Sequence, residues 1–481
     1  MTKRQKKIIL ISIDTLRADH LGCYGYYRNT SPNIDKIAGE SMFFRHAFSP
    51  ISYTAPSFAS LFTSKYPSYH HIEFTNGRFD FPENIEPMLQ QILNNSGMQT
   101  AAFVSTPVLN ARRTKFSEGF DVYDDEANTK RTRKVNAFLY RRGEETAKLA
   151  LEWLDKNHMN DLFLWIHFMD VHGPYSPTGN YSEIFVDDEY WDKMPISLKI
   201  TPAYNDTYKD VVPDNYVPGI PGYQALKKKY DKEGKVISYE KNLDYYISQY
   251  DGSIKYVDDQ VGRVIERLRQ LNIYDDTMVM IHSDHGEAFG ENGLYCDHGA
   301  TVSLEQIHVP LIMKLPEGKE NTVTQPVSLI DVTPSVLDYY DCSNGKNNFQ
   351  GVSFFSDAPV SNRIIYAQFL KQLSCIDSDH QFLYGKGWFE REMGNMFGPD
   401  VNDEYLKLNA YQSITDFRTY EDMSGADSDS MKSFRQKMET NIIDFIKRAN
   451  DRKEMKLHEE SISDDEKEAI REQLSALGYT D

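Results

Sequence analysis

The 481-residue chain is long enough for one large domain with a smaller part appended, and 40% hydrophobic with 26% charged residues is a globular balance, neither disordered nor fibrous. A formal net charge of −19 argues against sequence-independent nucleic-acid binding, which rests on Lys and Arg neutralising phosphates. The acidity suits solubility, and it leaves an anionic substrate open, because a metal or a helix terminus can make a site locally positive.

The chain starts with a basic tip. The apolar run Ile8–Ile13 that follows is too short for a signal-peptide core and has no small-residue cleavage site behind it. It reads as a strand buried on both faces. Ser31 and Pro32 open a helix to about Glu40, with Ser31 as N-cap. Residues Ile85–Asn95 read as a helix stopped by Gly97, followed by strand Thr100–Val104. Helix Glu144–Lys156 precedes strand Leu162–Phe168, and helix Asp258–Leu271 precedes strand Thr277–His282. Further strands are expected at Val309–Lys314 and Val327–Ile330, and a short helix at Thr333–Tyr340.

Strands alternating with helices predict an α/β fold: a large, mostly parallel sheet flanked by helices on both faces, over residues 1–360. Within it, 178–239 is polar, weakly periodic and reads as an insertion or lid. Residues 361–481 form a smaller C-terminal α+β element, with strands at Ile364–Phe369 and Gln381–Tyr384, a polar stretch to Ser430, helix Lys432–Arg448 and terminal segments from Ser463. Cys23, Cys296, Cys342 and Cys375 are sparse and lack C-x-x-C spacing, so neither a zinc site nor a disulfide framework is expected. No stretch approaches the roughly 20 apolar residues of a membrane span. The chain reads as cytoplasmic.

In parallel sheets ligands gather outside the carboxyl ends of the strands. Three predicted strands end on Asp14, on Asp170 with His172, and on Asp284 with His285. Adjacent Asp284 and His285 suit a divalent cation, with Gly286 allowing a close turn; a strand-end ion pair is the plainer reading. Asp14 ends an apolar strand, where an acid needs a metal, a cap or a partner such as Arg17. Thr54 precedes a predicted helix, Pro56–Thr63. It is either an N-cap or a hydroxyl held at the positive helix end, which a metal would turn into a nucleophile. His172 and His298 are candidates to bind an oxyanion, protonate a leaving group or ligate a second metal.

Taken in order, ISIDTLRADHLGCYGY, TAPSFASLFTSKYP, FMDVHGPYSP and HSDHGEAFGENGLYCDHG with HVPLI resemble the sulfatase family of the alkaline phosphatase superfamily over about residues 7–340, and LSALGY near the end also resembles such proteins. The resemblance implies a metal held by Asp14, Asp284, His285 and the Thr54 oxygen, with Thr54 the nucleophile. It implies His172 and His298 at the anionic group or leaving oxygen. The implied cofactor is one divalent ion (Ca, Mn, Mg or Zn); a second ion on Asp170, His172 and His298 is the alternative. The implied partner is an anionic small-molecule or glycan ester.

Three departures stand out. Formylglycine sulfatases have Cys or Ser within a C/S-x-P-S-R pattern, where this chain has Thr54-Ala55-Pro56-Ser57-Phe58. Threonine cannot be oxidised to that aldehyde, so no formylglycine is expected. The family's Asp-Asp pair is Asp14-Thr15, and its Lys-x-His segment has no clear counterpart near 100–120. A threonine ester cannot expel its group by re-forming an aldehyde, which favours phosphoryl chemistry, as a phosphodiester or phosphomonoester hydrolase or a phospho-group transferase. The alternatives are a sulfuric ester hydrolase acting on a sulfated glycan or small molecule, and a non-catalytic member that binds an anion or glycan.

Overall fold

The computed structural model describes residues 5–422, apart from short breaks and the longer stretches 187–227, 385–405 and 411–420. Most of the lid segment, helix Lys432–Arg448 and the terminal segments therefore lie outside the described residues.

The large sheet has nine strands: β1 (Lys7–Ile13), β2 (Met42–Phe48), β3 (Gln99–Val104), β4 (Val122–Asp124), β5 (Leu162–Phe168), β6 (Thr277–His282), β7 (His308–Lys314), β8 (Asn321–Val323) and β9 (Val327–Ser328). Their order is β8-β2-β7-β6-β1-β5-β3-β4, with β9 also paired to β2. β7 runs against its neighbours β6 and β2, and every other pairing is parallel.

The alternation of side chains along a strand divides the core in two. Ile9, Ile11 and Ile13 of β1 and Leu164, Ile166 and Phe168 of β5 join one cluster; Ile8 and Leu10 with Phe163 and Trp165 join the other. Helices α1 (Pro32–Ala38), α4 (Gly143–Asn157) and α5 (Leu243–Gln270) cover the first face. Helices α2 (Thr54–Thr63), α3 (Leu89–Asn95) and α6 (Val332–Tyr339) cover the second. The doubly covered sheet explains why its strands read as continuous apolar runs.

The structure corrects several expected boundaries. α5 begins at Leu243 rather than Asp258. Its first half buries Tyr246, Ile247, Tyr250, Ile254 and Val257 at helical spacing, and the tyrosines had masked that apolar stripe. α3 begins at Leu89 rather than Ile85, because Pro87 disfavours a helical residue before it and the Gln91 side chain accepts from Met88 N–H at 2.8 Å. The segment expected as strand to Ile330 turns at Leu329–Asp331. β2 was not expected from the sequence.

Beyond the large sheet, β10 (Ile365–Phe369), β11 (Gln372–Ile376), β12 (His380–Tyr384), β13 (Leu406–Ala410) and β14 (Glu421–Asp422) form an antiparallel sheet in chain order. The compact unit extends to Gly425, so this sheet is grouped with the large one. Within 178–239 the described parts are a turn at Gly179–Ser182 and a hairpin of Lys228–Tyr230 with Val236–Tyr239. Among the described residues no helix is long and apolar enough to cross a membrane.

Candidate active site

Parallel pairing fixes the site's level. Ser12 of β1 is in register with His282 of β6 and with His167 of β5, so the next residues of all three strands emerge on one edge. Asp14, Asp284 and His285 meet there, fully buried, each offering a ligand atom within 4.8 Å of the others. Asp14 does not pair with Arg17, which is held by Asp19 at 2.7 Å and Glu291 at 2.8 Å. Among the described residues neither Asp14 oxygen nor Asp284 Oδ2 has a hydrogen-bond partner. Two buried carboxylates left this way are costly unless a cation joins them.

The electrostatics agree. Burial raises the Asp14 carboxyl, but His167, His172 and His285 outweigh it and hold the group below the usual carboxylate range. Burial, helped by Asp14, pushes Asp284 up to about 6. His285 Nδ1 lies 2.9 Å from Gly286 O, which can only accept, so Nδ1 carries the hydrogen. Its Nε2 then faces Asp284 Oδ2 at 3.4 Å and Asp14 Oδ1 at 3.8 Å, the tautomer and donor set a divalent ion requires.

Thr54 is not a cap. It is the first residue of α2, whose N-cap is Tyr53, and the cap position makes no side-chain hydrogen bond. Thr54 Oγ1 instead lies 3.2 Å from His285 Nε2. The helix is locked to the strand end by Ser57, whose hydroxyl donates to Asp284 O at 2.7 Å and meets Ser49 Oγ at 3.0 Å. Phe58, at the position of the family's Arg, is buried against Trp165, His167 and His282. Thr15, at the position of the family's second Asp, has φ +57°, and its hydroxyl donates to Asp14 O at 2.8 Å. A positive φ is strained for a β-branched residue. Tyr250 OH supports it by donating to Thr15 O at 2.7 Å.

His298 and His172 stand beside the cluster, their ring centroids 4.8 Å apart, with His298 4.4 Å from His285. His172 donates Nδ1–H to Gly173 O at 2.6 Å, and His298 donates Nδ1–H to Glu287 Oε1 at 3.0 Å. Burial pushes both down to about 4. Among the described residues the ligand cluster of Asp14, Asp284 and His285 does not include Asp170, His172 or His298. Asp170 is turned to Arg142 at 3.5 Å and to the start of α4, where a Cβ on Gly143 would meet Asp170 Oδ2 at 2.9 Å. Burial pushes Asp170 up to about 6 despite Arg142.

Sequence reasoning missed Glu287 and His167. Buried Glu287 accepts from Tyr175 OH at 2.7 Å as well as from His298, and burial raises it to about 7. His167 Nε2 lies 3.3 Å from Asp14 Oδ2. The available signal was its place on β5, where it continues the Phe163–Trp165 face as a polar residue in an apolar alternation. The antiparallel sheet also reaches the His298 loop: Val302 N–H donates to Gln372 Oε1 at 2.7 Å, and Gln381 Nε2 donates to Val302 O at 2.8 Å.

The Thr54 hydroxyl at the start of α2 is thus set against strand-end carboxylates on a doubly covered, mostly parallel sheet. The fold is shared with the phosphonate monoester hydrolase of Agrobacterium radiobacter at TM-score 0.66 and 16% identity, over 92% of this chain and 96% of that one. The Sulfatase family profile matches residues 6–342, and the chain belongs to that family. Human iduronate 2-sulfatase is 26% identical over 64% of this chain, and human N-sulphoglucosamine sulphohydrolase is 26% identical over 66% of it. The chain spans 59% and 58% of the lengths of those two relatives.

Proposed function

We propose that the protein is a metal-dependent hydrolase of an anionic ester that uses Thr54 as its nucleophile, with phosphoryl esters favoured over sulfate esters. The observation that carries this is the buried Thr54 hydroxyl, free of any capping role, 3.2 Å from His285 Nε2 within the Asp14–Asp284–His285 cluster. Asp14, Asp284 and His285 would hold one divalent cation. Such an ion acidifies a neighbouring hydroxyl and draws charge from a bound oxyanion. Thr54 Oγ1 attacks phosphorus or sulfur in line, and the leaving alcohol departs as the Thr54 ester forms. The start of α2 favours the negative charge that develops there. Neutral His172 and His298 accept a proton at Nε2 and return it to the leaving oxygen. Water or an acceptor hydroxyl then attacks the ester, since threonine has no aldehyde route of release.

The second reading is a sulfuric ester hydrolase, supported by the names of the two relatives, iduronate 2-sulfatase and N-sulphoglucosamine sulphohydrolase. A non-catalytic role fits poorly with a complete cluster and an aligned hydroxyl. The proposal includes a cytoplasmic setting, in keeping with four sparse cysteines that lack disulfide spacing. The test is a panel of nitrophenyl sulfate, phosphate, phosphodiester and phosphonate substrates against several divalent metals. Highest turnover on a phosphorus ester supports the first reading, and turnover confined to the sulfate ester replaces it with the second.

A further inference from the structure

Two histidines lie on the strands beside β1, level with Ser12, and they are treated very differently. His282 is fully used: its Nε2 meets Ser12 Oγ at 2.7 Å and its Nδ1 meets Ser283 O at 3.0 Å, while Trp165 Nε1 donates to the same Ser12 hydroxyl at 2.9 Å. That is how a structural core histidine is satisfied. Among the described residues His167 has neither nitrogen in a formed hydrogen bond, although it is completely buried. Its Nε2 lies 3.3 Å from Asp14 Oδ2, and Asp14 is equally orphaned among the described residues.

The imidazole is held in that direction. Its backbone is fixed between β1 and β3, paired with Ser12 and Val104, and its carbonyl accepts from Ser105 Oγ at 2.5 Å. Phe58 packs edge-on at 5.4 Å and Trp165 at 6.2 Å between ring centroids. These apolar walls lower the local dielectric, which strengthens its contact with the carboxylate. His167 lies outside the Asp14–Asp284–His285 cluster, whereas Asp14 Oδ1 faces His285.

We infer that His167 is a positioning residue for the metal ligand Asp14, donating Nε2–H to Oδ2 so that Oδ1 is presented to the cation. The inference rests on the proposed metal site. It gives Phe58 a role as well: an apolar ring there keeps His167 aimed at Asp14.

The experiment uses the full-length protein, stripped with a chelator and titrated calorimetrically with Mn2+. His167→Leu is expected to bind Mn2+ about 10–100-fold more weakly, still at one equivalent. The metal-free variant should melt close to the metal-free parent. His167→Gln, which restores an N–H donor, should recover most of the affinity. If the Leu variant fails to fold, His167→Phe, which keeps an aromatic ring and removes the donor, carries the same expectation. Parent-like affinity in the Leu or Phe variant overturns the inference while leaving the metal site standing. A changed visible spectrum of the Co2+-loaded Gln variant also overturns it, since His167 would then be a ligand. If the parent itself takes up no stoichiometric Mn2+, the metal-site reading fails and this inference falls with it.

Discussion

Replacing Thr54 by alanine separates the two roles a residue at a helix start can have. The structural cost is small. The substitution removes one hydrogen bond, to His285, worth about 1 kcal/mol, and a buried methyl worth about 1 kcal/mol more. Alanine's better helix propensity returns roughly 0.5 kcal/mol. No cap is lost, because Tyr53, not Thr54, holds the N-cap position. The net loss of about 1–2 kcal/mol should lower the melting temperature by a few degrees at most. The loss of a covalent nucleophile should instead lower kcat by at least about 10⁴-fold. The assay is single-turnover and steady-state rate on the best substrate of the ester panel, beside a thermal melt and a Mn2+ titration on the same preparation. Thr54→Ser should retain part of the rate, since the hydroxyl stays. If Thr54→Ala turns over at near the parental rate, the nucleophile is not Thr54, and water must attack the ester directly.

Chelation should abolish turnover, and saturating divalent metal at 100 times its Kd should raise stability by about 2.7 kcal/mol, read from denaturant midpoints; Asp284→Asn should lose both effects. Glu287→Gln should leave the fold intact and slow turnover by at least roughly 10-fold, because the carboxylate that fixes the His298 tautomer is gone; an unchanged rate would remove Glu287 from the machinery. His308 is buried and pushed down to about 3, first by burial and then by His46. Its folded value lies below the unfolded 6.5, so its stabilising share is complete above pH 6.5 and is lost as pH falls from there toward 3. At pH 5 the loss is about 2 kcal/mol, so the stability gap between parent and His308→Asn should narrow by that amount from pH 8 to pH 5 in urea unfolding; a pH-independent gap would refute it. Gly299 has φ +73°, and a Cβ there would lie 2.4 Å from the Tyr53 ring. Gly299→Ala should cost roughly 1–3 kcal/mol and slow turnover through Tyr53, the neighbour of Thr54; a normal melt would show that the loop relaxes freely.

Much of the fold was legible because apolar periodicity is a local property. Ile8–Ile13, Leu162–Phe168 and Thr277–His282 could be read as strands, and their common direction followed from the helices between them. Parallel pairing then forces Asp14, Asp284 and His285 to one edge, so that part of the site followed from chain order alone. Where polar atoms interrupt an apolar stripe, as with the tyrosines of α5, the pattern failed locally, and β2 was missed outright. What chain order cannot encode is which way a side chain turns once strands and helices pack. Asp170, in a motif as suggestive as the others, faces Arg142 and the start of α4. His167 and Glu287, which looked like a strand residue and a motif filler, face Asp14 and His298. The choice of Thr54 over a cap and the grip of Gln372 and Gln381 on Val302 depend on neighbours tens to hundreds of residues away in sequence. Those contacts exist only after the sheet and helices have closed, because a hydrogen bond is directional over about 3 Å and no sequence pattern carries that direction.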